Sequence, residues 1–337
     1  MRITASDDSR TPGESFAAPQ RGAHDSDPVI GVGTASGKAI LFGEHAVVYG
    51  HPAIALPLRD LRVRAEAEPL PERRLLHSAL YTGDLGRVPD RLASTARAVE
   101  ATMSAVGADR SGVRVHVESD LPAERGVGSS AAVSAAIVQA VAAAFGHELD
   151  PTERHHLIQI AERAAHTSPS GLDARTVVSD RPVWFQDSSA HDLEVAGPLS
   201  FVIADSGVRG RTREAVAAVR ALRDADPIAV ERRLDRLGAL AREGRAALAS
   251  PRPEEIGVRM DEAHALLGEL GVGDPALDRL AGIARTGGAL GAKLTGGGRG
   301  GCVLVLARDP DHATELAHDL RGRGAAATWT TELRGTR

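Results

Sequence analysis

The segment that most limits what this chain can become is Ser129 to Phe145, where every residue is alanine, valine, isoleucine or serine except Gln139 and the closing phenylalanine. Its length and alanine content favour a buried helix over a strand. A helix apolar on every side needs other elements around it, so the fold must supply a sheet and further helices. Directly before it stands Pro122-Ala123-Glu124-Arg125-Gly126-Val127-Gly128. Glycines and serines at a helix start let an anion approach backbone N–H groups, where unpaired donors and a partial positive charge wait. Gly126, Val127, Gly128, Ser129, Ser130, Ala131 and Ala132 are therefore candidate phosphate-binding residues. Serine N-capping of a core helix is the plainer alternative. A dinucleotide fingerprint also fits Gly126, Gly128 and Ala131, but the preceding strand ends several residues earlier and a helix follows where a strand is required.

Other elements can be read around this helix. Val113 to Val117 alternates apolar and polar residues, the period of a half-buried strand. Ala39 to Phe42 and Ala53 to Leu56 read as strands flanking a loop. Pro151 to Ala165 reads as an amphipathic helix with Pro151 and Thr152 near its start. Phe201 to Ala204 reads as a strand opening a new unit. Thr212 to Leu222, Ile228 to Ala249 and Glu254 to Leu270 read as helices, and Val303 to Ala307 as a strand. Such alternation implies an α/β or α+β protein. With 337 residues, two domains are the natural expectation. The polar, glycine-containing stretch Leu193 to Pro198 divides residues 29–196 from residues 197–332. Residues 1–28 carry Asp, Ser, Pro and Gly without an apolar run and read as a flexible leader.

Composition excludes several classes of function. The formal net charge is −5 and no dense Lys/Arg run occurs, so a nucleic-acid or anionic-membrane surface has little support. No stretch reaches the roughly 18 apolar residues of a membrane helix. One cysteine, Cys302, permits neither an intrachain disulfide nor a cysteine zinc site, and suits a reducing cytoplasm.

Two further glycine-rich segments carry chemistry-bearing residues. The first runs Gly37-Lys38-Ala39-Ile40-Leu41-Phe42-Gly43-Glu44-His45-Ala46. It is not a Walker A loop, because Val32 stands where the first glycine belongs and Ala39 where Ser or Thr must follow the lysine. The other runs Gly291-Ala292-Lys293-Leu294-Thr295-Gly296-Gly297-Gly298-Arg299-Gly300-Gly301-Cys302. Placed between a helix and a strand, it suggests close backbone approach to a ligand or loop. Cys302 reads as a small buried residue, and Arg299 either reaches a phosphate or points to solvent. Between these segments, Glu162 lies on a helix and Asp173 follows a Ser-Pro-Ser-Gly turn. One carboxylate on a rigid helix and one on a loop suit metal ligation and proton handling.

Together, GKAILFGEHAVVYG, DLPAERGVGSSAA, SPSGLDA and KLTGGGRGGC resemble the GHMP family of small-molecule kinases, in order and from about Gly37 to Leu306. Asp205 to Thr212 and Met260 to Leu267 are also similar to family segments. The resemblance implies a two-domain α+β fold, its N-terminal half like the second domain of ribosomal protein S5 and its C-terminal half ferredoxin-like, with the active site between them. It implies ATP over the Gly126–Ala132 loop, Mg²⁺ on Ser130 and Glu162 with Ser129 the lesser candidate, Asp173 as catalytic base and Lys38 as its catalytic neighbour. Glu44 and His45 would define the substrate pocket, Thr212 would orient Lys38 or the substrate, and Thr295 with Gly296 to Gly298 would buttress the phosphate loop. Within the family the likeness is greatest to the branch that phosphorylates mevalonate. Position 46 is Ala where galactokinases carry Thr after Glu-His, which argues against a sugar. Alternatives are another family kinase, such as one acting on phosphomevalonate, or a non-catalytic metabolite-binding member. The implied partner is a small molecule, with no nucleic acid and no membrane, and a homodimer is compatible with the resemblance. Arg299 departs from the family's run of glycines.

Overall fold

The computed structural model describes residues 29–165, 170–250 and 252–335. The expected leader 1–28 and the first two residues, Ser168 and Pro169, of the expected catalytic turn lie outside these residues.

The first domain is built on two long strands, β1 (Gly31–Phe42) and β2 (Ala53–Leu70), paired antiparallel. Their register shifts between Ser36 and Gly37, as at a β-bulge. In the first half of β1, buried and exposed positions alternate, whereas its last six residues are all buried. The change follows from what lies on either side: a helix covers one face at first, and the second domain covers the other face later. Around this pair stand β3 (Arg74–Ser78), β4 (Tyr81–Asp84), β5 (Gly112–Ser119), β6 (Val183–Gln186) and β7 (Ser189–Asp192). The order is β4-β3-β5-β2-β6-β7 with β1 also on β2, and only the β3–β5 pair is parallel.

Three helices cover this sheet: α2 (Ser129–Ala144) packs on it directly, and α1 (Ala93–Ala105) and α3 (Pro151–Ala165) pack on α2 and on each other. The alanine-rich α2 is buried along nearly its whole length. Its small side chains let it lie directly on β1, and two glycines complete the fit. A Cβ on Gly31 would stand 2.1 Å from the Ala140 carbonyl oxygen, and one on Gly33 the same distance from that of Ala136. The short helix α4 (Leu172–Thr176) follows Gly171.

The second domain is a four-stranded antiparallel sheet ordered β11-β8-β10-β9, from β8 (Leu199–Asp205), β9 (Gly291–Thr295), β10 (Cys302–Ala307) and β11 (Ala327–Leu333). Between β8 and β9 come α5 (Thr212–Ala225), α6 (Pro227–Leu248), α7 (Pro253–Glu269) and α8 (Pro275–Thr286), and α9 (Pro310–Gly322) precedes β11. With its helices treated as two crossovers, the sheet has the β-α-β-β-α-β plan of a ferredoxin-like fold. One expectation needs correction here. The third glycine-rich segment is not a simple helix-to-strand link, because Gly291–Thr295 is itself a strand and Gly296 to Gly301 turn a hairpin into β10. Five residues of that turn have positive φ, Arg299 among them at 55°.

The helix α6 ties the halves together. A Cβ on Gly244 would come within 2.4 Å of the Phe42 ring, and the Arg245 guanidinium lies 5.1 Å from the centroid of Trp184.

Candidate active site

Lys38 lies near the end of β1 and is almost fully buried. Its backbone N–H donates to the Val127 carbonyl at 2.9 Å, pinning the loop before α2 to the strand. The ammonium reaches Asp173 Oδ1 at 3.1 Å and the Gly126 carbonyl at 3.4 Å. The loop curves over the lysine stem because Gly126 and Gly128 adopt φ of 80° and 76°. A Cβ on Gly128 would stand 2.7 Å from Lys38 Cγ. Only glycine combines that conformation with that clearance. Val127 is wholly buried and anchors the loop.

The helix α2 begins at Ser129 with no side-chain cap. The first intrahelical bond runs from the Ala132 N–H to the Gly128 carbonyl at 2.9 Å, leaving the preceding N–H groups for a ligand at the positive end of the dipole. Ala131 and Ala132 are buried. Ser130 Oγ donates to Glu162 Oε1 at 2.7 Å and lies 3.2 Å from Ser94 Oγ on α1. Glu162, in the last turn of α3, is 3% exposed. Burial pushes its carboxyl up to about 7; the Ser130 hydrogen bond opposes this, while the like charge of Asp173 adds to it.

Asp173 sits in the first turn of α4, after Gly171 at φ 99°. Its side chain is 41% exposed against 4% for Lys38, so the carboxylate is open to an acceptor while the lysine is held behind it. Phosphate loop, lysine and both carboxylates thus meet at one place.

Residues of the first and third motifs take up different work. Glu44 and Lys293 form an ion pair with both side chains fully buried. Lys293 Nζ also donates to the Leu294 carbonyl at 2.8 Å and to Ile40 O at 3.4 Å. Burial pushes the Glu44 carboxyl up and the Lys293 ammonium down, and their mutual contact opposes both shifts. Thr295 Oγ1 accepts from Ile40 N at 2.8 Å. His45, at φ 59°, is buried, and its Nε2 donates to the Gly297 carbonyl at 2.9 Å. The two loops come close at Gly296, where a Cβ would be 2.9 Å from Gly126 O, and at Gly301, where one would be 2.8 Å from Arg125 O. These contacts bolt the hairpin turn to the first domain beneath the phosphate loop. Glu44 accordingly faces Lys293 inside the protein. Thr212 is exposed and packs on Gly297; it is not among the partners of Lys38. Arg299 donates from Nε to Gly271 O at 3.2 Å and from its backbone N to Val272 O at 2.8 Å, closing the loop after α7. Cys302 is fully buried and burial raises its thiol far above the usual range, so it behaves as a small apolar residue.

Sequence reasoning missed the Glu44–Lys293 pair, the hydroxyl of Ser94 and the Arg125–Asp205 pair at 3.0 Å. A lysine inside an otherwise apolar strand, Lys293 between Ala292 and Leu294, was the available signal: buried charge implies a partner.

Ser130 and Glu162 offer two hard oxygens held 2.7 Å apart. No group of three or more His, Cys, Asp or Glu among the described residues could hold a metal. Two hard oxygens are donors of the kind a hard divalent cation takes when phosphates and waters fill the rest of its shell.

A glycine loop on an uncapped helix start, facing a lysine-supported carboxylate open to an acceptor, defines a small-molecule phosphotransferase. The profile "GHMP kinases N terminal domain" matches residues 93–180 and "GHMP kinases C terminal" matches residues 245–326. The chain belongs to the GHMP kinase family. It is 33% identical to the mevalonate kinase of Thermococcus sibiricus over 86% of this chain and 92% of that protein. It is 31% identical to that of Pyrococcus furiosus over 87% and 93%. The L. major mevalonate kinase solved with R-mevalonate superposes with a TM-score of 0.81 over 91% of this chain and 96% of that one, at 23% identity.

Proposed function

We propose that this chain is a mevalonate kinase, transferring the γ-phosphoryl group of ATP to the C5 hydroxyl of mevalonate to give 5-phosphomevalonate for isoprenoid synthesis. The observation that carries the reading is the 3.1 Å contact between Lys38 and Asp173, held beside a phosphate-binding helix start. The choice of alcohol is supported by relatives that are about one-third identical over most of the chain.

In this reading the Gly126–Ala132 backbone holds the nucleotide phosphates. Asp173 orients the hydroxyl and accepts its proton as the new O–P bond forms in line with the departing ADP. Lys38 balances the charge on the attacking oxygen from the buried side of Asp173. Ser130 Oγ and Glu162 would hold Mg²⁺, which neutralises phosphate charge when bound. Gly296 keeps the loop from moving away from Lys38 by blocking its far side. The single buried thiol accords with a reducing cytoplasm. No helix among the described residues is long and apolar enough to cross a membrane.

A coupled assay of ADP release with mevalonate, phosphomevalonate, homoserine and galactose tests the assignment. Turnover with mevalonate is expected. Turnover confined to phosphomevalonate would transfer the chain to another branch of the family.

A further inference from the structure

Separate from the catalytic cluster, β1, β2, α2, α3 and the segment after α4 line a solvent-open cavity of about 270 Å³. It shares no residue with Lys38, Ser130, Glu162 or Asp173. Its lining is cationic: Arg59 and Arg62 come from β2 and Arg154 from α3, with Ser36, Gln139 and Ser179 adding neutral polar groups. Asp180 is the one carboxylate in the lining, 3.5 Å from Arg59. Three guanidiniums therefore face one carboxylate, in a chain whose formal net charge is −5.

The arginines are poorly satisfied. Arg62 directs Nε to the Arg59 carbonyl at 2.8 Å and forms no ion pair among the described residues. Arg154 has no side-chain hydrogen bond or ion pair among them, and its Nε is buried without a partner. A buried N–H without an acceptor costs free energy that a ligand oxygen recovers. Cations converging on one small space repel unless an anion lies between them. Guanidinium forks match phosphate oxygens two at a time, and hydroxyls such as those of Ser36 and Ser179 complete such a shell. The volume falls just under the ~300–1,000 Å³ usual for small-molecule pockets, so the ligand is small.

We propose that this cavity binds a phosphate group, either free or carried by a small phosphomonoester. The proposal does not depend on which alcohol the enzyme phosphorylates.

Calorimetric titration tests it with the enzyme saturated by a non-hydrolysable ATP analogue, so that the phosphate loop is already filled. Inorganic phosphate and glycerol 3-phosphate are the two probes. One-to-one binding is expected in the presence of the nucleotide. Arg62→Ala and Arg154→Ala should each weaken it about tenfold or more, and Ser130→Ala should leave it intact. Equal affinity for the probes assigns the site to free phosphate, and tighter glycerol 3-phosphate assigns it to a phosphomonoester. Unchanged turnover of both arginine variants in phosphate-free buffer shows that their fold is kept. No binding of either probe to the nucleotide-loaded enzyme overturns the proposal, as does undiminished binding in both arginine variants.

Discussion

Asp173 and Lys38 divide their work by exposure, the carboxylate open to solvent and the lysine closed behind it. Replacing Asp173 by alanine removes the proton acceptor but touches neither the glycine loop nor α2. Turnover of Asp173→Ala should fall roughly 10²-fold or more, while nucleotide affinity measured by titration stays within a few-fold. Near-normal turnover would take Asp173 out of the mechanism. Glu44 and Lys293 present the opposite case, a pair with no route to solvent and Glu44 Oε2 left without a partner. Lys293→Met strands a buried carboxylate and should cost about 3–5 kcal/mol. Adding Glu44→Gln removes that charge, so the double variant should regain a large part of the loss. Denaturant unfolding of both singles and the double checks this, and strict additivity would show that the two residues are not coupled.

Among the elements, α2 and β1 set the frame because one carries the phosphate loop and the other the lysine. Their contact is backbone against backbone at Gly31 and Gly33. Gly33→Ala places a methyl carbon where the Ala136 carbonyl already stands, so the helix must lift from the strand. A loss of about 1–3 kcal/mol is expected, read as a lower melting temperature, and an unchanged melting temperature would mean that α2 slides freely on β1. The helices α2, α3, α5, α6 and α7 were legible in the sequence because each has a long apolar pattern. Helices α1, α8 and α9 and the strands β3, β4, β6, β7 and β11 were not read. Several of these are four or five residues long and amphipathic only through contacts with neighbours far away in sequence. β9 was missed for a sharper reason, since Lys293 interrupts the apolar run and its compensating charge lies 249 residues away.

At the scale of the whole molecule, the two domains are joined by groups whose charge state matters. His45 donates to Gly297 across the two domains, and within the second domain His264 on α7 accepts from the Leu294 N–H at 3.2 Å through Nδ1. Burial lowers both imidazoles from the usual 6.5; His45 is then raised by its Gly297 bond, and His264 is lowered further by Arg285. A histidine with a lowered folded value binds its proton more readily when unfolded. Its contribution is therefore full above about pH 6.5 and is lost as the pH falls below that value. Glu162 acts with the opposite sign: raised to about 7, it favours the metal-free folded state at low pH and loses that contribution as the pH rises from 4.5 to 7. The His45 part is isolated by comparison with His45→Asn. The wild type should lose more melting temperature between pH 7 and pH 5 than the variant does, and parallel profiles would exclude His45 as the cause.

What the sequence determined by itself was local and periodic. It placed the helix Ser129 to Phe145, the glycine start that bares its N–H groups, and the two carboxylates, since these depend on neighbours a few residues away. Four motifs in order carried the resemblance to the family. Tertiary structure alone decided that Glu44 turns inward to Lys293, how deeply Lys38 is buried behind Asp173, and that three arginines from two elements share one cavity with a single carboxylate, Asp180, among them. Side-chain direction and burial arise only when distant segments pack, and the energy of a charge is set by what surrounds it, not by its place in the chain.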